Sequence, residues 1–338
     1  MKKIKLFMLS VLILLCITIG FGCRNDKTKI KVVEVAHSVF YAPQYAALEL
    51  GFFEEEGLEV EIVNANGADK VMAALLSKDA QIGLMGPEAS VYVYIGNKET
   101  YAVNFAQITK RDGSFIVSRT DDKDFTLDMM KGKSILGGRK GGMPEMTLEY
   151  TLKQAGLVIG QDDESVIETG GVNVRTDIQF AAMAGAFTSG EGDYTTLFEP
   201  TATLIEKEGK GYVVASVGSL SGEVPYTAYS ALNNYIENNE DIIQKFTNAI
   251  YKGQVWVRTH SAREIAEVIS PHFTELSLDD LEKVMKRHID IDAWNDTPIL
   301  KEEAFNKLQD IMIEAKELDN KVPYEKLVNL KFAENACK

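Results

Sequence analysis

Cysteine, histidine and positive charge are all scarce in this sequence, and each scarcity removes a class of function. The 338 residues include three cysteines, Cys16, Cys23 and Cys337, and four histidines, His37, His260, His272 and His288. No C-x-x-C or H-E-x-x-H spacing occurs, so zinc sites of the common kinds are not encoded, and three thiols cannot build a disulfide framework. The Gly-x-Ser-x-Gly elbow of hydrolases and the Gly-Lys-Ser/Thr ending of a P-loop are both missing. Lysine and arginine number 36 against 50 acidic residues, a net charge of −14. That excess repels phosphate backbones and argues against nucleic acid as a partner. Low-complexity tracts and repeats with periods of about 20–50 residues are absent as well.

What is there is a globular mix, 45% apolar and 25% charged, with length enough for two domains. Residues 1–22 stand apart. Lys2, Lys3 and Lys5 precede an apolar run from Leu6 to Ile19, and Gly20-Phe21-Gly22 leads to Cys23. This is the layout of a secretory signal peptide, and the run is short for a membrane span. Cys23 after a small residue fits a lipobox, with Gly20 standing where leucine is usual, so lipid on Cys23 is expected. Residues 23–29 then form a polar tether. Without residues 1–22 the chain holds 33 basic and 50 acidic residues, a net charge of −17.

From Lys31 the pattern alternates strand and helix. Strands are predicted at Lys31–Ala36, Leu58–Val63, Ala80–Met85, Tyr101–Ile108 and Ser114–Ser118, with helices between them. A second block predicts strands at Ser134–Leu136, Val166–Thr169, Tyr194–Phe198 and Tyr212–Ser216. Tyr226–Leu232 reads as a strand returning to the first block, and beyond Asn238 the chain is almost wholly helical. The expected architecture is therefore α/β with two lobes. Residues 30–118 and 228–338 form the first and 119–227 the second. Two crossings act as a hinge, and the C-terminal helices extend the first lobe. Histidines 260, 272 and 288 are expected at the surface, and His37 is expected as a hydrogen-bonded strand end.

Prolines are few, eight in all, but four of them repeat one design of strand, short loop and proline at a helix start: Tyr41-Ala42-Pro43, Met85-Gly86-Pro87, Gly142-Met143-Pro144 and Phe198-Glu199-Pro200. Proline suits the first helical turn, where its missing N–H leaves no bond unmade. Loops after strand C-termini line the ligand crevice of an open α/β sheet, and the helix N-termini point free N–H groups into it. Two such loops belong to each lobe, the layout of a ligand clamped from both sides. Glu88 and Glu145 sit just inside two of these helices. Two accounts of them are open: favourable interaction with the helix dipole, or a bond to an amino group of the ligand. Gly137-Gly138-Arg139-Lys140-Gly141-Gly142 is either a surface turn or a backbone cradle. Phe40 and Tyr41 can stack on a flat ligand or pack in the core. Gln107 can bond one ligand edge. Arg111 can pair with a ligand anion or with an interlobe acid such as Glu199. Tyr226 lies at the second crossing.

The run from Ser38 to Val60, Ser-Val-Phe-Tyr-Ala-Pro-Gln-Tyr-Ala-Ala-Leu-Glu-Leu-Gly-Phe-Phe-Glu-Glu-Glu-Gly-Leu-Glu-Val, resembles the opening of the NMT1/THI5-like substrate-binding proteins of ABC importers. Gly132–Gly138 with Gly142, Pro144 and Glu145 resembles that family's second-lobe opening, and Phe198-Glu199-Pro200 its "EP" segment. The resemblance covers roughly residues 30–260. It implies a type II periplasmic-binding-protein fold, no catalysis, no cofactor, a monomer, and an ABC permease and its ATPase as partners. Carried over residue by residue, it marks Ser38, Tyr41, Gly67, Gly86, Pro87, Gly142 and Glu199 as pocket positions. Members bind sulfonates, nitrate or pyrimidine precursors. The aromatics and acids here lean towards a flat nitrogenous solute, with sulfonate, taurine or nitrate next. A receptor for a membrane sensor and a pyrimidine-precursor biosynthetic enzyme are the alternatives.

Overall fold

β-branched and aromatic residues concentrate in short runs bounded by glycine and charge, and these runs become strands. The computed structural model describes residues 27–96 and 99–338; the leader, Cys23 and the start of the tether lie outside the described residues. The strands are β1 (Thr28–Glu34), β2 (Leu58–Asn64), β3 (Ile82–Met85), β4 (Ala102–Thr109), β5 (Ser114–Ser118), β6 (Lys133–Leu136), β7 (Ile159–Gln161), β8 (Val172–Arg175), β9 (Tyr194–Phe198), β10 (Tyr212–Ser216) and β11 (Thr227–Leu232). They form two sheets, ordered β2-β1-β3-β11-β4 and β10-β5-β9-β6-β8-β7.

In the first sheet β11 runs antiparallel to both β3 and β4, so β1, β3 and β4 all end on the same edge. In the second, β6 and β9 are parallel and also end together. Helices cover both faces of the first sheet, and the eight residues of β4 are all buried. Its polar Asn104 is tolerated because the amide donates to Ser90 Oγ and Leu327 O, and its oxygen accepts from Ser230 Oγ. The first core centres on Phe53, Phe105, Tyr229 and Phe246, with Phe246 5.0 Å from Tyr229 and 5.1 Å from Phe53 between ring centroids.

The long helix Glu240–Thr259 lies on helix Ala42–Glu49 and holds it in place. Their backbones meet at Gly253, where a Cβ would overlap the Pro43 carbonyl oxygen and sit 3.1 Å from Ala47 Cβ. Gly253→Ala is therefore expected to destabilise the fold by about 1–3 kcal/mol through overpacking, more than its helix propensity can offset. Urea denaturation checks this.

Three expectations are corrected. Ser114–Ser118 pairs with β9 and β10 in the second sheet, so the chain leaves the first sheet through residues 110–113, before this strand and not after it. The strand's own pattern is silent on this, because its partners lie roughly eighty to a hundred residues on. Val166–Thr169 is not a strand; Ser165–Glu168 is a short helix between β7 and β8. An apolar run this short has no periodicity to separate the two, and Val166 packs against Gly160 and Gly171 as a helical residue. His288 is fully buried, not at the surface. It continues the apolar face of helix Leu278–Asp290 set by Leu281, Val284 and Met285, a helical spacing visible in the sequence. The short helix Val217–Ser221 was also not expected.

Candidate functional site

The four proline-marked loops lie at the strand ends that face one another, and the lobes are closed on each other there. Ser38 caps the turn after β1, accepting from Phe40 N–H at 3.2 Å, and its hydroxyl donates to the Glu199 carbonyl of the other lobe at 3.3 Å. Tyr92 donates to the Gly141 carbonyl at 3.0 Å. At the exposed rim Arg139 stands 3.8 Å from Asp69, in the first turn of the helix whose N-cap is Gly67.

Beneath the Ser38–Tyr41 turn, the fully buried Glu34 carboxylate accepts from Tyr45 Oη, at 2.8 and 2.9 Å to its two oxygens, and from Gln44 Nε2 at 2.8 Å. His37 Nδ1 lies 3.0 Å from it, and Nε2 is 2.9 Å from the His272 carbonyl. Tyr45 Oη also lies 2.9 Å from Nδ1, and the hydrogen bond with the Glu34 carboxylate raises the ring's pKa. His37 is thus a hydrogen-bonded strand end, and this network fixes the turn that carries Phe40 and Tyr41.

Phe40 is 1% exposed. Its ring meets Tyr41 at 5.8 Å, Tyr226 at 5.9 Å and Phe198 of the second lobe at 6.1 Å. Both lobes and a crossing therefore contribute to one aromatic cluster at the cleft. Tyr41 and Tyr226 are buried, and burial with nearby carboxylates pushes both hydroxyls well above their ordinary range. Within this cluster lies Glu88, 5% exposed, whose Oε2 is buried without a hydrogen-bond partner. Burial pushes its carboxyl up to about 7. Its own N–H, the Arg139 guanidinium and the Met143 N–H from the facing helix oppose that rise. The side chain folds back over Gly86, where a Cβ would collide with the carboxylate. Glycine at 86 is what allows Glu88 this position, behind the buried Pro87.

Glu145, Glu199 and Gln107 have hydrogen-bond partners within the protein. Glu145 accepts from Gly141 N–H at 3.0 Å and Gln161 Nε2 at 2.7 Å. It closes the glycine loop above the helix N-cap Gly142, and its pKa is raised by burial and by the neighbouring Glu149. Glu199 accepts from Thr203 N–H and Oγ1, each at 2.9 Å, and from Arg287 Nη1 at 2.6 Å. Its interlobe cation is thus Arg287 and not Arg111, which instead lies 3.8 Å from Asp292 and 3.9 Å from Glu223. Gln107 donates to Thr109 O at 3.0 Å within its own strand. Sequence reasoning did not single out Phe198 or Arg287. Only the place of Phe198 one residue before Glu199 could have flagged either of them.

Closure buries Glu88 at a cost that depends on pH. A carboxyl raised to about 7 binds a proton in the closed form that it would release in solvent. The stability this lends is full below its ordinary pKa of about 4.3 and is lost as pH rises through 7. Ligand-free wild type is expected to lose melting temperature relative to Glu88→Gln between about pH 5 and pH 8. Taking the difference cancels the contributions of His37 and of His288, whose burial lowers its pKa to about 4. Parallel profiles would show that Glu88 is solvated.

Two α/β lobes, joined by two crossings and closed over buried polar groups, make this a periplasmic-binding-protein fold. Solved structures agree. The ligand-binding component of an ABC-type import system from Staphylococcus aureus, with zinc bound, superposes with a TM-score of 0.72 at 13% identity over 92% of this chain and 99% of that one. The alkanesulfonate-binding protein SsuA of Xanthomonas axonopodis pv. citri, bound to MOPS, gives 0.69 at 13% identity over 90% and 99%. The nitrate-binding protein NrtA of Synechocystis PCC 6803 gives 0.61 at 14% identity over 90% and 92%. The NMT1/THI5 like family model matches residues 39–263, and the chain belongs to that family. It is 44% identical over 315 residues to "Putative binding protein YtlA" of Bacillus subtilis (strain 168), covering 93% of this chain and 92% of that one. Among the described residues no helix is long and apolar enough to cross a membrane, and no cluster of three or more His, Cys, Asp or Glu could hold a metal.

Proposed function

We propose that this protein is the extracytoplasmic solute-binding component of an ABC importer, tethered to the outer face of the membrane by lipid on Cys23. It acts as a monomer, without catalysis, and delivers its solute to a permease and its ATPase. The bound solute is a flat nitrogenous compound, an aminopyrimidine or a close analogue. One observation carries this reading: the Glu88 carboxylate oxygen is buried between the lobes without a partner, among Tyr41, Tyr92 and Tyr226. A buried acceptor with no donor is costly, and a ligand N–H removes that cost. A sulfonate or nitrate would instead bring negative charge against this carboxylate. Closure then follows from binding, because the ligand interacts with the closed state and not with the open one.

The test is a thermal-shift screen of the purified protein against aminopyrimidines, purines, taurine, alkanesulfonates, nitrate and bicarbonate. A ligand of the folded state raises the melting temperature. A shift with aminopyrimidines supports the reading, and a shift with taurine, alkanesulfonates or nitrate alone would overturn the nitrogenous assignment.

A further inference from the structure

Helix Thr201–Lys207 follows the Phe198-Glu199-Pro200 loop of the second lobe, and helix Leu278–Asp290 belongs to the C-terminal extension. The latter is fixed to the first lobe. It packs on helix Ala262–Ile269, which packs on helix Ala42–Glu49. Just beyond its end, Trp294 Nε1 donates to the Phe40 carbonyl at 2.9 Å. Charges of opposite sign face one another across this junction. The second lobe supplies Glu199, Glu206 and Lys207, and the helix supplies Asp280, Lys283 and Arg287. Arg287 meets Glu199 and Glu206, each at 2.6 Å, Lys283 meets Glu206 at 2.8 Å, and Lys207 meets Asp280 at 2.6 Å. Arg287 also donates to Thr203 Oγ1 at 2.9 Å, and its guanidinium lies 5.8 Å from the centre of the Phe115 ring of the second sheet. An isolated surface pair contributes little, whereas a network built around a short arginine–carboxylate contact contributes more. All four ion pairs cross from one lobe to the other, so they are made on closure and lost on opening. They therefore act on the equilibrium between open and closed forms. Lys207 and Lys283 are more than half exposed, and neither belongs to the site around Glu88.

We propose that this network is an interlobe latch that holds part of the ligand-free population closed and so sets solute affinity from outside the pocket, with Arg287 as the positioning residue at its centre. A solute that binds only the closed form has an apparent Kd equal to the intrinsic one divided by the closed fraction. Weakening the latch thus scales the affinity for all solutes alike and leaves their order unchanged. The latch also opposes the cost of burying the Glu88 carboxyl, so the closed fraction reflects both. This rests on the solute-binding reading above and not on the nitrogenous one.

Small-angle scattering and titration calorimetry on the variant Lys207→Glu with Lys283→Glu test it. The double reversal turns attraction into repulsion at two exposed pairs and leaves Arg287 and Glu199 in place. At low salt the ligand-free variant is expected to have a larger radius of gyration than wild type. Its Kd for 4-aminopyrimidine is expected to rise about three- to tenfold. With saturating 4-aminopyrimidine the two radii should coincide. Salt supplies a readout that a merely structural role would not move. Raising NaCl from about 50 mM to about 500 mM screens attraction in wild type and repulsion in the variant. Wild type should then bind more weakly, the variant more tightly, and the gap between them should narrow. Ligand-free radii that match at low salt overturn the latch, whatever the solute proves to be. An unchanged Kd, or a rise that salt does not reduce, overturns it as well. Failure of 4-aminopyrimidine to bind wild type counts against the nitrogenous reading alone, and the ligand-free radii still decide the latch.

Discussion

Arg287→Ala is expected to destabilise the protein by about 3–5 kcal/mol, the cost of leaving a buried carboxylate without its cation. The Glu199 side chain has no exposed surface, and the Arg287 side chain is 18% exposed. Removing the guanidinium leaves a carboxylate in the interior with only Thr203 to bond it. It also releases Glu206, bonded by Arg287 Nη2 at 2.6 Å, onto Lys283 and the Val213 N–H. Urea denaturation reads the loss. The double variant Glu199→Gln with Arg287→Met should recover part of it, because it removes the uncompensated charge and not only its partner. A loss below about 1 kcal/mol would place the pair among ordinary surface ion pairs. Since Arg287 belongs to helix Leu278–Asp290, the C-terminal helices do more than pack on the first sheet. They bond the second lobe, and Lys207 to Asp280 at 2.6 Å adds to this contact.

Glu88→Gln is expected to weaken binding of 4-aminopyrimidine by about 10–100-fold, the worth of a hydrogen bond to a buried charged acceptor. Glutamine keeps the shape and one acceptor oxygen, but removes the charge and offers an N–H to a ligand N–H. Titration calorimetry at neutral pH measures it, and a change under about twofold would remove Glu88 from the ligand's contacts. The same substitution is expected to flatten the pH profile of the ligand-free protein, so one variant reads both sides of a single cause. The carboxyl is costly to bury unpaired, and a ligand donor relieves that cost.

Much of the fold was legible because its determinants are local. The β-rich runs at Leu58–Asn64 and Tyr194–Phe198 declare themselves within a few residues, and so do Pro43, Pro87 and Pro144 at helix starts. The return of Thr227–Leu232 to the first sheet followed from the order of elements, and the structure places it between β3 and β4. The errors lay where the deciding partner is remote. β5 reads identically whichever sheet it joins, and His288 reads as a polar residue unless the apolar spacing of its own helix is weighed first.

The site divides along the same line. The sequence by itself determined the α/β alternation, the loops that carry Ser38, Tyr41, Glu88, Glu145 and Glu199, and the family resemblance, because each rests on neighbours in the chain. Only the tertiary structure decided which of those acids is paired within the protein. Glu145 is bonded by its own loop and Gln161, and Glu199 by an arginine 88 residues away. Glu88 is left with an unpaired oxygen. The physical reason is that a carboxylate's role is set by what surrounds it in space. Burial and pairing are properties of the assembled lobes, and a chain segment cannot state them in advance.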